Sequence, residues 1–397
     1  TAQVEDRLPI GVAFGGSVLL SWALYGIYRA ARRSAYELES LVFLLIGVGA
    51  AVTAAYDPDS LYKLLITVVM GIVLFLIMSG VLRDLHLSIR ARWPVAIAAG
   101  ALLAFNVVLG ERIFGAKNWI SIGPLSFQPS ELVKIAFILA GAATLDRLFA
   151  KRNLIFTILF SAYCVGCLAL MSDFGTALIF FVAFLCIAFL RTGDLPSIAM
   201  MVAAAAFGCG IILRFKPYIA DRFAAWRHAW DYAQDIGYQQ TRTMSAMASG
   251  GLFGAGPKDG WLKYVGAANT DLVFGVVGEE FGFLLALCCV AALVIPIVFT
   301  LRCAAAARSS FYTILSCATA AMLVCQMALN VLGAVDLLPL TGVTFPFVSM
   351  GGSSMISCWG LMAYLKAADT RQNASFALRL SRLAPQQQKK AAPPPKA

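Results

Sequence analysis

Charged side chains are scarce in this sequence. Only 13% of its 397 residues are Asp, Glu, Lys or Arg, whereas 60% are hydrophobic and the mean hydropathy is +0.80. Soluble domains carry about 25% charged residues, so this composition excludes that class. The sequence therefore predicts an integral membrane protein.

Groups that bind metals and nucleotides are also few. The two histidines, His86 and His228, have no partners at metal-ligand spacing. Cys164 and Cys167 form a C-x-x-C, but inside an apolar run this spacing indicates packing. The Gly-rich stretch 249–257 has neither the Lys-Ser/Thr of a Walker loop nor the strand-to-helix context of a dinucleotide site. No metal site or nucleotide site is predicted.

Long apolar runs recur from one end of the sequence to the other. Each has about the 17–25 residues that a helix needs to cross a bilayer core of roughly 30 Å. We predict an all-α polytopic membrane protein with about 11 transmembrane helices. The runs lie near residues 10–28, 38–56, 61–82, 94–110, 131–149, 153–171, 174–191, 195–214, 272–301, 310–335 and 346–368.

Lys and Arg are concentrated in every second connection between these runs. By the positive-inside bias those connections are cytoplasmic, which places the N-terminus outside and the C-terminus inside. They contain Arg29, Arg32, Arg33, Arg83, Arg90, Arg92, Arg147, Lys151, Arg152, Arg191, Arg302 and Arg308. The net charge of +10 partly reflects this topology, and nothing supports binding to nucleic acid. The first run has spanning length and no small-residue cleavage site, so we expect no secretory signal peptide.

Three parts are expected along the chain. Residues 1–37 hold an extra N-terminal transmembrane segment and a basic cytoplasmic loop, and residues 38–368 form the transmembrane core. Within the core, 215–270 is a long extracytoplasmic loop, and aromatic residues on one helical face predict short helices at the membrane interface. The basic, Gln- and Pro-rich segment 369–397 is predicted to be a disordered cytoplasmic tail.

Asp271 lies where the long loop ends and the ninth apolar run begins. If the chain is helical from Leu272, then Gly275, Gly278 and Gly282 share a stripe with Asp271. Small residues would let a neighbouring helix or a ligand approach closely. Two interpretations of Asp271 stay open, a simple helix N-cap or a functional carboxylate at the outer membrane surface.

Other outer connections contain further polar residues. Asp173 is a predicted N-cap, and Pro129 is typical of a helix start. Glu131 and Lys134 are three residues apart and can pair on one helical face just below the outer surface. Trp119 is either an interfacial anchor or a functional residue.

Four predicted helices begin at the outer face, in the fifth, seventh, ninth and eleventh runs. Helix N-termini attract phosphate, so a membrane-anchored, phosphate-bearing substrate is the first hypothesis. Cations that could add charge there are Lys117, Lys134, Arg222 and Arg242. Glycosyl transfer from a lipid diphosphate has matching needs: the leaving group needs cations, and the attacking hydroxyl needs one carboxylate as base.

Several motifs, taken in order along residues 38–368, strongly resemble the SEDS family of RodA, FtsW and SpoVE. They are Lys117-Asn118-Trp119-Ile120, Phe127-Gln128-Pro129-Ser130-Glu131, Asp173-Phe174-Gly175-Thr176, Tyr238-Gln239, Ser249-Gly250-Gly251, Thr270-Asp271, Glu279-Glu280-Phe281-Gly282 and Pro346-Phe347-Val348-Ser349-Met350-Gly351-Gly352-Ser353.

This resemblance implies a peptidoglycan glycosyltransferase that polymerises lipid II at the outer face of the bacterial plasma membrane. A class B penicillin-binding protein is the implied partner. Asp271 matches the family's essential aspartate, the general-base candidate. No cofactor is certain, and a divalent cation, Mg²⁺ or Mn²⁺, at the diphosphate stays open. The expected substrate-binding residues are Trp119, Lys117, Gln128, Glu131, Lys134, Asp173, Gln239, Arg242, Glu280, Ser349, Gly351, Gly352 and Ser353.

The sequence also departs from the family pattern. Asn269 stands where the family usually has His, Leu272-Val273-Phe274 replaces Phe-Ile-Phe, and Met350 replaces a common Tyr. Two alternatives remain, a transporter that flips lipid II and a non-catalytic scaffold. Glu279 and Glu280, deep along the helix, favour the transporter, whereas the lack of an internal repeat opposes it.

Overall fold

The computed structural model describes residues 7–31, 33, 35–113, 116–122, 125–145, 151–215, 217–305 and 309–368. The predicted tail, 369–397, lies outside them. The α-helices are α1 (Arg7–Ala30), α2 (Glu37–Tyr56), α3 (Leu61–Val81), α4 (Leu85–Arg90), α5 (Arg92–Leu109), α6 (Pro129–Leu145), α7 (Lys151–Leu170), α8 (Phe174–Thr192), α9 (Leu195–Phe215), α10 (Pro217–Ala225), α11 (Tyr238–Gly250), α12 (Val273–Glu280), α13 (Phe283–Ala305), α14 (Ser310–Ala334) and α15 (Gly352–Ala367).

A helix occupies each of the predicted apolar runs, which confirms a helical polytopic membrane protein. Among the described residues, 7 helices are long and apolar enough to cross a membrane: α1, α2, α3 with its preceding turn, α5, α8, α13 and α14. Shorter apolar stretches lie in α7 and α9. The number of eleven spans therefore stays a prediction.

A small antiparallel sheet joins α5 to α6. Its strands are β1 (Glu111–Ile113), β2 (Ala116–Ile122) and β3 (Leu125–Phe127), in the order β1-β2-β3. The sequence did not predict this sheet, because β1 and β3 have only 3 residues each and the 7 residues of β2 do not alternate strictly between apolar and polar. The sheet places Trp119 opposite Glu111 and leads directly into α6 at Pro129, the predicted helix start.

The ninth predicted run is broken into α12 and α13 at Gly282, where φ is +91°. A side chain there would collide with the carbonyl of Leu252, so the break needs glycine. The expected stripe below Asp271 is therefore shorter than predicted. Its glycines in α12, Gly275 and Gly278, face Thr243 and Met247 of α11, so this stripe receives a helix and not a ligand.

The end of α12 holds the Gly-rich part of the long loop. The carboxylate of Glu279 accepts hydrogen bonds from the amides of Trp261 (2.8 Å) and Leu262 (3.0 Å). The main-chain carbonyls of Glu279 and Glu280 accept the amides of residues 255 and 256. The carboxylate of Glu279 and the main-chain carbonyls of both residues thus hold the loop against α12.

The extra N-terminal helix is fixed to the core by a buried polar cluster. The hydroxyl of Tyr28 in α1 donates to Glu39 of α2 at 2.6 Å. The ammonium of Lys366 in α15 pairs with the same carboxylate, donates to the carbonyl of Ala35 and lies 4.4 Å from the centre of the Tyr28 ring. This cluster therefore ties α1 to two core helices.

We expect Lys366→Met to lower the free energy of unfolding by about 3–5 kcal/mol, because it leaves the Glu39 carboxylate buried without its cation. The double variant Glu39→Gln with Lys366→Met should lose clearly less, since the new amide still accepts from Tyr28 and no charge is buried. Thermal unfolding in detergent micelles measures both. Equal losses in the single and double variants would contradict this account.

Candidate active site

A cavity of about 830 Å³ opens among the helices and combines a polar end with an apolar end. The polar end is formed by β2, the start of α8, the turn before α12 and the loop 338–351. The apolar end is formed by α7, α8 and α9, through Val165, Ala169, Leu178, Phe181, Ala205, Gly208 and Cys209. Such a shape suits a ligand with a polar head and a hydrocarbon tail.

The turn that contains Asp271 is held by three consecutive main-chain carbonyls. Those of residues 269, 270 and 271 each accept a hydrogen bond from α14 or from the loop 338–351. The donors are the Met350 amide (3.0 Å), the Ser349 hydroxyl (2.6 Å) and the Asn330 side-chain amide (2.8 Å). The position of Asp271 is thus set by elements far away in the sequence.

The half-buried carboxylate of Asp271 lines the cavity. It lies against Gly342, where φ is +73° and an added Cβ would come within 3.3 Å of Oδ2. Burial raises the pKa of Asp271 to about 6, although the Thr270 hydroxyl and the Arg222 charge lower it and the Asp173 charge adds to the rise. This carboxyl group can therefore exchange a proton near neutral pH.

The interpretation of Asp271 as a helix cap is wrong. The residue at the N-cap of α12 is Leu272, and the helix begins without a side-chain cap among the described residues. Its carboxylate instead lines the cavity.

Arg222 provides a cation at the polar end. Its guanidinium donates to the carbonyl of Leu340 at 2.9 Å, and Trp226 donates to the carbonyl of Leu337 at 3.1 Å. These two contacts hold the end of α10 beside the loop 338–351. Of the four cations that the sequence suggested, Arg222 is the one that lines this cavity.

Asp173 joins three elements at the cavity wall. One carboxylate oxygen caps α8 by accepting the amide of Thr176 at 3.2 Å, which confirms the predicted N-cap. The other oxygen accepts from Asn118 of β2 (2.8 Å) and from Gln128 before α6 (3.0 Å). Asp173 thereby fixes the sheet to the helices around the cavity.

The predicted pair of Glu131 and Lys134 exists, with 2.8 Å between its charged atoms. Both side chains are buried and outside the cavity lining. Lys134 also donates to Gln326 at 2.9 Å, and Glu131 accepts from Ser357 at 2.6 Å. The pair lies deeper than expected because α14 and α15 cover it.

The structure divides the other expected site residues between cavity and surroundings. Besides Asp271 and Asp173, the lining includes Trp119, Gln128, Gly351 and Ser353. Lys117 donates to the carbonyls of Val107 and Val108 at the end of α5, Gln239 donates to the carbonyl of Gly266, and Arg242 lies over the Tyr238 ring at 5.1 Å. These three residues lie outside the lining, as do Glu280, Ser349 and Gly352.

Sequence reasoning did not select three other residues at the site. Asn118 and Thr341 line the cavity, and the side-chain amide of Asn330 donates to the main-chain carbonyl of Asp271. Asn118 lies within the family motif Lys117-Asn118-Trp119-Ile120, so its position beside Trp119 was a signal for a functional residue. Asn330 sits inside an apolar run, where a lone buried amide was the available signal.

Two departures from the family pattern contact each other. The side-chain amide of Asn269 lies 3.6 Å from the sulfur of Met350, and the Met350 amide donates to the Asn269 carbonyl. The two replaced residues are therefore in contact with each other, and Asp271 still lines the cavity.

Among the described residues, no group of three or more His, Cys, Asp and Glu side chains lies together. A Mg²⁺ or Mn²⁺ ion arriving with a diphosphate would therefore find two carboxylates lining the cavity, Asp173 and Asp271.

Fold and site define a polytopic helical membrane protein with the half-buried carboxylate of Asp271 at the polar end of an amphipathic cavity. Residues 40–374 match the family FTSW_RODA_SPOVE, described as "Cell cycle protein". The chain belongs to this family.

Individual relatives agree with this assignment. "Peptidoglycan glycosyltransferase RodA" of Mycobacterium leprae is 29% identical over 388 residues, which cover 88% of this chain and 82% of the relative. "Probable peptidoglycan glycosyltransferase FtsW" of Saccharophagus degradans is 27% identical, with 86% and 93% covered.

Solved structures share the fold. One, from work on "polymerization and crosslinking by a peptidoglycan synthase complex", has a TM-score of 0.71 at 25% identity and covers 85% of this chain and 98% of its own. RodA of Thermus thermophilus has a TM-score of 0.63 at 25% identity, with 84% and 96% covered.

We expect Asp173→Ala to lower the free energy of unfolding by about 2 kcal/mol or more, because α8 loses its cap and two amides lose a charged acceptor. Asp173→Asn should cost less, since its oxygen can still cap α8. Thermal unfolding of the two variants in detergent gives the comparison. An alanine variant as stable as the wild type would show that Asp173 does not hold these elements together.

Proposed function

We propose that this chain extends glycan strands by polymerising lipid II, with Asp271 as the general base. Its relatives are named peptidoglycan glycosyltransferases, so this class of activity is assigned to the chain. The observation that supports Asp271 is its place: a carboxylate with its pKa raised to about 6, at the polar end of a cavity whose other end is apolar.

The proposed reaction forms one bond and breaks one. A sugar hydroxyl of the acceptor attacks the anomeric carbon of the donor from the face opposite the diphosphate, which inverts that carbon. Asp271 takes the hydroxyl proton, and the bond between the anomeric carbon and the diphosphate oxygen breaks with its electron pair on the diphosphate. Such a leaving group needs positive charge rather than a general acid, and Arg222 supplies it.

The apolar end of the cavity is proposed to hold the isoprenoid chain of the substrate. Side chains from α7, α8 and α9 form this end, and α9 is exposed along much of its length. A lipid chain could therefore lie in the cavity while it stays continuous with the bilayer.

Orientation and partner complete the proposal. The positive-inside bias places the polar end of the cavity on the extracytoplasmic side, with the N-terminus of this chain outside and the C-terminus in the cytoplasm. One structural neighbour comes from a peptidoglycan synthase complex, which supports a class B penicillin-binding protein as the partner that crosslinks the new strand.

The transporter alternative loses part of its support. It depended on Glu279 and Glu280 as polar groups deep in a helix, but the carboxylate of Glu279 accepts from the amides of Trp261 and Leu262 in the loop that precedes α12. The names of the relatives favour glycosyl transfer as well.

Asp271→Asn should abolish polymer formation from purified lipid II while the protein keeps its unfolding temperature, because the amide cannot accept the proton. In the wild type, the base is the ionised form, so the rate should fall as the pH drops through about 6 and level off above about 7. Gel analysis of labelled glycan strands measures polymer formation by the variant and the pH dependence of the wild type, and thermal unfolding checks that the variant is folded. Full activity in the Asn variant would refute the assignment of the base.

Gly208→Phe should raise the KM for lipid II with a long isoprenoid by about tenfold and have a smaller effect with a short-chain analogue. Gly208 lines the apolar end, and no atom lies within 4 Å of an added Cβ, so the ring would enter the cavity. Gly210→Phe is the matched control, because Gly210 has the same free space outside the cavity lining. Equal effects of both substitutions on both substrates would argue against an isoprenoid site there.

A further inference from the structure

We propose that Asn330 of α14 is a positioning residue for Asp271, a role that rests on the proposed function. Its side-chain amide donates to the main-chain carbonyls of Asp271 (2.8 Å) and Val343 (2.7 Å). Asn330 is buried and is not part of the cavity lining. It would act through the backbone that holds the base.

The two carbonyls that Asn330 binds belong to opposite sides of the base. One is that of Asp271 itself, and the other directly follows Gly342, the residue against which the carboxylate lies. The side-chain amide of Asn330 therefore sets the distance between Asp271 and the cavity wall at Gly342. Without it, the hydrogen bonds from Ser349 and Met350 would still join the two segments.

The orientation of this amide is fixed by its surroundings. Two carbonyl oxygens face the same nitrogen, so a flipped amide would place its own oxygen against both. The role needs two N–H donors on one short side chain. Leucine has nearly the same volume and no donor, whereas an ionised Asp has the same shape and only acceptors.

Gln326 extends the same arrangement one helical turn earlier. It is four residues from Asn330 on the same face of α14, accepts from Lys134 and donates to the carbonyl (3.1 Å) and hydroxyl (3.2 Å) of Thr344. Thr344 and Val343 are consecutive, so α14 holds two successive carbonyls of the loop. The buried pair of Glu131 and Lys134 is thereby connected to the cavity wall, which includes Thr344.

The catalytic consequence follows from geometry. A base displaced by about 1 Å from its acceptor hydroxyl can lose about 100-fold in rate. Substrate contacts come from other residues, so binding should change little. A base that is held less firmly against Gly342 would also reach solvent more easily, which would move its titration toward the ordinary range of aspartate.

The test compares wild type, Asn330→Leu, Asn330→Asp and Thr319→Val in lipid II polymerisation, with kcat, KM and the pH profile measured for each. Thr319→Val is the matched control, because Thr319 is an equally buried residue of α14 whose hydroxyl donates to the carbonyl of Leu315 in the same helix. We expect both Asn330 variants to lose at least about tenfold in kcat with KM within about threefold. The acid limb of Asn330→Leu should lie at lower pH than that of the wild type, and Thr319→Val should match the wild type.

Each other result decides against a specific claim. If wild-type protein makes no glycan from lipid II, the proposed function itself fails. If wild type is active and folded Asn330→Leu keeps kcat within about twofold with an unshifted acid limb, positioning by Asn330 is overturned. If both Asn330 variants fail to fold while Thr319→Val folds, Asn330 serves stability alone, and the proposal is overturned as well.

Discussion

Main-chain polar groups inside an apolar bundle must all find partners, and the rest of this structure depends on how that need is met. The loop 338–351 is not helical, yet most of its residues are buried between α14 and α15. Its carbonyls and amides therefore need donors and acceptors from outside the loop. Asn330 and Gln326 of α14 meet that need for the carbonyls of Val343 and Thr344, and Asn330 and the loop's own Ser349 also donate to the turn that contains Asp271.

Two pairs of buried charged side chains also find their partners inside the bundle. Glu131 and Lys134 are buried outside the cavity lining, and they pair with each other and with Gln326 and Ser357. Near the start of α2, Glu39 and Lys366 do so with Tyr28 of the extra helix. Unpaired, each charge would be costly in a low-dielectric interior. Asp271 differs because its side chain faces a cavity, which leaves it free to react.

In the proposed mechanism, the carboxylate and the cavity together let one aspartate suffice for glycosyl transfer. A diphosphate leaves readily once its charge is received, so the protein has to place a base, a cation and a hydrocarbon groove around one point. Arg222 and the apolar faces of α7 to α9 lie at the same cavity as the carboxylate. Nothing in this arrangement requires a second acid.

The sequence by itself determined the class of membrane protein, the place of the helices, the cap at Asp173 and the pair of Glu131 and Lys134. These features depend on local composition and on spacing along one helix, which a sequence displays directly. Only the tertiary structure decided that the ninth run breaks at Gly282, that a small sheet carries Trp119, and that Lys117 caps α5. It also separated Glu280, Gln239 and Arg242 from the cavity and revealed Asn330. The reason is that a side chain's partners come from segments far apart in sequence, and a pattern of single residues does not say which segments meet.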